Sequence, residues 1–85
     1  MTATLMAPAT LASLAAGTRA VVVGFAPEDE EAIRKLLALG LAPGDHLHVV
    51  ATYPACLFEL GSASYALDRE LAGKVLVARE AQSNS

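Results

Sequence analysis

The chain has 85 residues, a net charge of −3 and 54 % hydrophobic residues. An acidic chain without a basic cluster is not expected to bind nucleic acid, because that affinity comes from clustered lysine and arginine. One cysteine excludes an internal disulfide and favours a reducing compartment, and no apolar run is long enough for direct membrane insertion. So small a domain cannot bury all of its apolar side chains, so we expect an apolar surface patch that contacts a partner.

The first residues predict a lead-in, a helical turn and a strand. Residues 1–9 are expected to be flexible. The first 18 residues lack the basic start of a signal peptide, and Pro8, Thr10 and Ser13 interrupt their apolar run. Thr10 offers a hydroxyl N-cap for a short helical turn that Gly17 ends. The β-branched run at residues 20–24 then predicts a buried strand.

An amphipathic helix of about three turns is predicted after Pro27. Its first turn is acidic, which suits the helix dipole, and an apolar stripe follows at helical spacing. Gly40 is placed to end the helix in the left-handed conformation, with Leu41 folding back onto Leu36. Pro43 and the glycine after it predict a type II turn that leads directly into a strand.

The remaining chain predicts a meander. Alternation places Leu47, Val49 and Ala51 of one strand on the inner face, and a loop is expected at Tyr53–Cys56. Phe58 would then oppose Ala51. A second turn is expected at Ser62–Ala63, which would place Phe58 opposite Leu67.

A helical turn capped by Asp68 and a strand at residues 74–78 complete the predicted elements, and residues 80–85 are expected to be a polar tail. Five short strands with one helix between strands 1 and 2 predict a mostly β fold. The expected architecture is a small SH3-like barrel over residues 10–79, because closure of the sheet removes its free edges.

Three stretches of the sequence carry a family resemblance: Gly17–Gly24, Leu37–Val50 and Ser64–Val77. In this order they resemble the FeoA family, ferrous iron transport protein A, from about Thr10 to Ala78. The resemblance implies a cytoplasmic, non-enzymatic adaptor that binds the GTPase-containing cytoplasmic region of a ferrous iron permease and is recruited to the inner face of the membrane. The same fold also occurs as a C-terminal module of metal-dependent repressors.

The candidate partner-binding residues are apolar and outward-facing. Alternation places Val50, Leu57 and Leu76 on the solvent side, near Thr52 and Cys56. Leucines that converge at one hairpin, in a chain with a hydrophobic excess, favour a docking patch. Self-association of the chain as a homo-oligomeric scaffold would satisfy the same pattern.

The candidate metal ligands are His46, His48 and Glu59. The two histidines share one strand face at a spacing of about 6.5–7 Å, which permits two ligands, but two imidazoles rarely hold a metal without a third group. We therefore expect no cofactor and at most a weakly bound Fe²⁺ or other divalent ion, with a metal-responsive regulatory module as the alternative function. The sequence has no phosphate-binding loop, dinucleotide motif or nucleophile triad, so we expect no enzymatic activity.

Overall fold

The computed structural model describes residues 9–80, which form one antiparallel sheet with three short helical segments. The strands pair in the order β1-β6-β2-β3-β4-β5. Their bounds are β1 Ala9–Thr10, β2 Arg19–Phe25, β3 His46–Ala51, β4 Cys56–Leu60, β5 Ala63–Leu67 and β6 Val75–Arg79. The helical segments are a 3₁₀ turn at Leu11–Ser13, α1 at Glu30–Ala38 and α2 at Arg69–Ala72.

The predicted mostly β fold with a helix between the first two long strands is confirmed, with six strands rather than five. The additional strand, β1, has two residues, Ala9 and Thr10, which pair with Val77 and Leu76 of β6. Two residues are too few to show an alternating pattern, so the sequence gives no signal for this strand. The rest of the predicted lead-in and nearly all of the predicted tail lie outside the described residues.

Helix α1 begins and ends as its sequence predicts. Asp29 is the N-cap, and its carboxylate accepts a hydrogen bond from the Ala32 N–H at 3.0 Å. Gly40 has a φ of 101°, and the Leu41 N–H donates to the Leu36 carbonyl at 3.2 Å. These contacts form the predicted Schellman stop, and both leucines are buried.

Both hairpins of the β3–β5 meander keep the predicted inward faces but are displaced by two residues. Phe58 pairs with Val49 rather than Ala51, and with Tyr65 rather than Leu67. The predicted registers were therefore wrong. A displacement of two residues leaves every side chain on the same face, which is why the inward and outward assignment survives.

The turn between β4 and β5 lies at Gly61–Ser62, not at Ser62–Ala63. Gly61 has a φ of 62° and Ser62 has a negative φ, as in a type II′ turn with glycine at its first central position. Leu60 and Ala63 flank the turn as a cross-strand pair. In a two-residue hairpin this flanking pair is hydrogen-bonded, and the pairs beyond it alternate from there.

The core lies between the inner face of the sheet and the helical segments. The Phe58 and Tyr65 rings stack with their centroids 5.4 Å apart, and Phe58 is fully buried. The other large, fully buried side chains are all aliphatic except one cysteine: Leu11, Leu36, Leu41, Val22, Val49, Val75, Val77 and Cys56. The core is thus mainly aliphatic, as the low aromatic content predicts.

The two ends of the sheet, β1 and β5, are not paired with each other within residues 9–80. Helix α2 packs against both β5 and the 3₁₀ turn, which itself packs against β6. Arg69 of α2 donates to the Thr52 carbonyl at 2.6 Å and to the Ala12 carbonyl at 3.3 Å. We call this junction between β1 and β5 the seam. In a fully paired barrel, backbone hydrogen bonds between the two strands would close it, whereas here contacts made by side chains connect its two sides.

Candidate functional site: an apolar groove and a histidine–carboxylate face

An apolar groove runs across the outer face of β3, β4 and β5. Its volume is about 290 Å³, and its surface is largely apolar. Seven residues line it: Val50, Leu57, Phe58, Glu59, Ser64, Tyr65 and Ala66. Val50 and Leu57 are 47 % and 40 % exposed, so both present apolar surface to solvent although they lie within a sheet.

The backbone explains why these two side chains face outward. Leu57 lies between Cys56 and Phe58, which are both buried, so alternation turns it to the opposite face. Val50 is the extra residue of a β-bulge, since Val49 pairs with Phe58 whereas Ala51 pairs with Leu57. A bulge re-aims side chains and increases the local twist, which brings Val50 towards Leu57.

The structure brings together two of the five predicted partner-binding residues. Val50 and Leu57 line the groove, whereas Thr52 lies just beyond β3, where its carbonyl binds Arg69. Leu76 is half-buried on β6, where it pairs with Thr10 and Gly24, and β2 separates β6 from β3.

Cys56 requires a correction, because it is fully buried rather than exposed at a loop tip. The predicted loop ends one residue earlier, and Cys56 is the first residue of β4, paired with Leu67. It lies two residues before Phe58 and therefore shares the inward face. Burial raises the pKa of the Cys56 thiol, so it is a neutral core side chain and does not form part of an accessible surface.

Three groove residues on β5 were not predicted from the sequence: Ser64, Tyr65 and Ala66. Ser64 pairs with Glu59, and Ala66 pairs with Leu57, so both extend the outer face of β4. A signal was available in the sequence, because two small residues alternate with Tyr65 and Leu67 in this strand. Small outward side chains next to an outward leucine leave a depression.

A second surface, the histidine–carboxylate face, lies near the ends of β3, β4 and β6. His46 Nδ1 lies 2.6 Å from Glu80 Oε2, and His48 Nδ1 lies 3.8 Å from Glu59 Oε1. These four side chains line one depression together with Arg19. The predicted ligand set is thereby divided into two pairs, and within residues 9–80 no three His, Cys, Asp or Glu side chains converge to hold a metal ion. Metal binding through His46, His48 and Glu59 stays a prediction.

Comparison with known proteins places this fold in a family. The model of the FeoA domain matches residues 9–79, which is most of the chain. The chain belongs to the FeoA family. No curated protein sequence matches the chain significantly.

Solved structures support the assignment. An iron uptake regulatory protein (FeoA) has 25 % identity and a TM-score of 0.78, over 88 % of this chain and 100 % of its own. The FeoA protein of Chlorobium tepidum has 28 % identity and a TM-score of 0.71, over 88 % of this chain and 73 % of its own. A FeoA-like protein from Clostridium acetobutylicum shares the fold at 19 % identity and a TM-score of 0.82, over 95 % of this chain and 96 % of its own. The predicted SH3-like fold is confirmed.

The fold also occurs inside larger proteins. A manganese-dependent transcriptional repressor in complex with manganese has a TM-score of 0.80 at 17 % identity. The match covers 91 % of this chain but only 39 % of the repressor chain. At that identity the likeness concerns the fold alone. In the FeoA-family chain itself, no helix within the described residues is long and apolar enough to cross a membrane.

Proposed function

We propose that this FeoA-family protein is a non-enzymatic, cytoplasmic accessory of ferrous iron uptake. In this proposal it is recruited to the inner face of the membrane, where it binds the GTPase-containing cytoplasmic region of a ferrous iron permease. Membership of the FeoA family supports a role in iron uptake. The observation that carries the docking role is the apolar groove, an outer-face depression around Val50 and Leu57, which are both exposed.

Leu57 is the side chain whose change tests the groove. It is 40 % exposed, lines the groove and does not belong to the buried core. Complete burial of a leucine contributes about 1.5–3 kcal/mol, so burial of the exposed 40 % of Leu57 contributes about 0.6–1.2 kcal/mol. An aspartate at this position adds the cost of burying a carboxylate without a partner. Leu57→Asp should therefore weaken binding about tenfold or more.

The experiment is capture of the purified cytoplasmic region of the permease by tagged protein. The matched control is Leu37→Asp on α1, because Leu37 is 52 % exposed and lies outside the groove. We expect capture by the wild type and by Leu37→Asp, and a loss of capture with Leu57→Asp. Absence of capture by the wild type would refute the docking role, and equal capture by both variants would refute the groove as its surface.

A further inference from the structure

The outer edge of the sheet at β5 is available for pairing. β5 is the terminal strand of the sheet, bonded to β4 on one side, and it has no strand partner on its other side within residues 9–80. All five of its residue pairs with β4 are in regular register, without a bulge. Its sequence, Ala-Ser-Tyr-Ala-Leu, contains no charge and no proline, which are the usual features that protect an edge strand from pairing.

Two residues of β5 direct their backbone groups towards the free side. The hydrogen-bonded pair that closes the hairpin is Leu60 with Ala63, so Tyr65 and Leu67 also bond to β4. Ser64 and Ala66 alternate with them, and their N–H and C=O groups therefore point away from β4. Both residues are exposed. Two donors and two acceptors are thus offered to an extended backbone.

The side chains of the same two residues continue the apolar groove. Ser64 is paired with Glu59 and Ala66 with Leu57, all on the outer face. In an antiparallel pair, two directly opposite residues place their side chains on the same face of the sheet. If a strand is added antiparallel to β5, its residue opposite Ala66 and its residue opposite Ser64 therefore both place their side chains on the outer face. Ser64 and Ala66 are small, so a long side chain can extend over them to reach Leu57 or Glu59.

The chemistry of the occupant follows from these neighbours. Leu57 and Val50 form the apolar part of the groove, which a large aliphatic side chain opposite Ala66 would fill. The Glu59 carboxylate is about half exposed, and a Lys or Arg opposite Ser64 complements its charge. A second copy of this chain fits poorly, because the outward side chains of its own β5 are again Ser64 and Ala66, which neither fill the groove nor supply a cation.

We propose that the partner protein binds by adding an extended segment antiparallel to β5, with an aliphatic residue opposite Ala66 and, two positions later, a basic residue opposite Ser64. Strand addition takes its affinity from backbone hydrogen bonds and its specificity from alternate side chains. The inference rests on the proposed docking role of the groove and specifies the form of the partner: a basic, apolar extended peptide from a different protein.

The test uses a synthetic peptide, acetyl-Thr-Thr-Leu-Thr-Lys-Thr-Thr-amide, in excess over the full chain. Two matched controls carry two backbone N-methyl groups each, one at Leu and Lys and the other at the two threonines that directly precede Leu and Lys. Methylation at Leu and Lys blocks the donors that would face β5, whereas methylation at threonine modifies the opposite edge of the added strand. The measurement is amide hydrogen exchange by NMR.

We expect saturation with the unmodified peptide to slow exchange at Ser64 and Ala66 by about tenfold or more, because both amides become hydrogen-bonded. The Tyr65 amide, already bonded to β4, should change little. The threonine-methylated peptide should reproduce this protection, and the Leu- and Lys-methylated peptide should abolish it. Binding that shifts Val50 and Leu57 resonances without protecting Ser64 and Ala66 would overturn strand addition, as would equal binding by both methylated peptides.

Two further measurements separate this inference from its alternatives. Ala66→Pro removes one free N–H without breaking a bond to β4, and should abolish peptide protection at Ser64. If the permease region is captured equally by Ala66→Pro and by the wild type, strand addition fails while the docking role stands. If the peptide protects the edge but the wild type does not capture the permease region, the docking role fails while strand addition at β5 stands. Protection of Ser64 that rises with protein concentration in the absence of peptide would identify a second copy as the occupant and overturn the proposal.

Discussion

Arg69 joins three parts of the chain at the seam, so its removal should loosen the fold measurably. Its guanidinium donates to the Thr52 carbonyl at 2.6 Å and to the Ala12 carbonyl at 3.3 Å. A hydrogen bond from a charged group contributes about 1.5–3 kcal/mol, but Arg69 is exposed and one of its two bonds is long. Water can replace part of both, so we expect Arg69→Ala to cost about 1–2 kcal/mol of unfolding free energy.

That loss converts into a shift of the melting temperature. For a domain of this size each kcal/mol corresponds to about 4–8 °C, so Arg69→Ala should lower Tm by about 5–15 °C in thermal unfolding followed by far-UV circular dichroism. Arg69→Lys keeps the charge, but a single ammonium cannot serve both carbonyls, so it should recover less than half of the loss.

The control is Arg34→Ala, which removes an exposed arginine from α1. A surface substitution of this kind stays within about 0.5 kcal/mol. A Tm for Arg69→Ala no lower than that of Arg34→Ala would refute the seam as a stabilising contact. A Tm of Arg69→Lys equal to that of the wild type would show that the positive charge, rather than the pair of guanidinium hydrogen bonds, stabilises the seam.

Two further outcomes follow from buried and paired groups. The Cys56 thiol should react with a thiol-specific reagent at pH 8 only when the protein is unfolded, and rapid labelling of folded protein would contradict its burial in the core. The Ala32 N–H and, to a smaller extent, Lys74 lower the pKa of Asp29 from its ordinary value of 3.8. Because the folded pKa is depressed, the charge stabilises the fold above pH 3.8, and that stabilisation is lost as pH falls through the folded value. Asp29→Asn should therefore lower the urea midpoint at pH 7, and its difference from the wild type should shrink as pH falls below 3.8. A difference that does not shrink at low pH would contradict this assignment.

The helix and its ends could be predicted because their signals are local. Gly40 and Leu41 form the helix stop with residues within five positions, so neighbouring sequence determines the geometry. The turn at Gly44 was also predictable from its local sequence, and Gly44 has the positive φ, 96°, that the turn requires. Such elements depend on backbone conformations that few residues other than glycine adopt easily.

The strand registers were harder to predict, since alternation repeats every two residues and a displacement of two satisfies the same pattern. For β3 and β4, only the bulge at Val50 and the start of β4 at Cys56 distinguish the actual register, and neither has a sequence signal of its own. For β4 and β5, the position of the turn at Gly61–Ser62 determines the register. The groove depends on that register, because Ala66 lies beside Leu57 in one pairing and beside Glu59 in the other. The outward leucine and the small outward residues of β5 were therefore predictable, but which of those residues lies beside the leucine was not.

The pairing of β2 with β6 also affects how the protein folds during synthesis. Val22 pairs with Val77, from the opposite end of the chain, whereas β3, β4 and β5 are joined to one another by short loops. Short loops close at low entropic cost, so we expect the meander to form early, and β2 cannot acquire β6 as its second neighbour until residues 75–79 have left the ribosome. Until then β2 exposes an unpaired edge rich in valine, and a pause in translation before residue 75 would prolong the period in which the nascent chain is prone to aggregation.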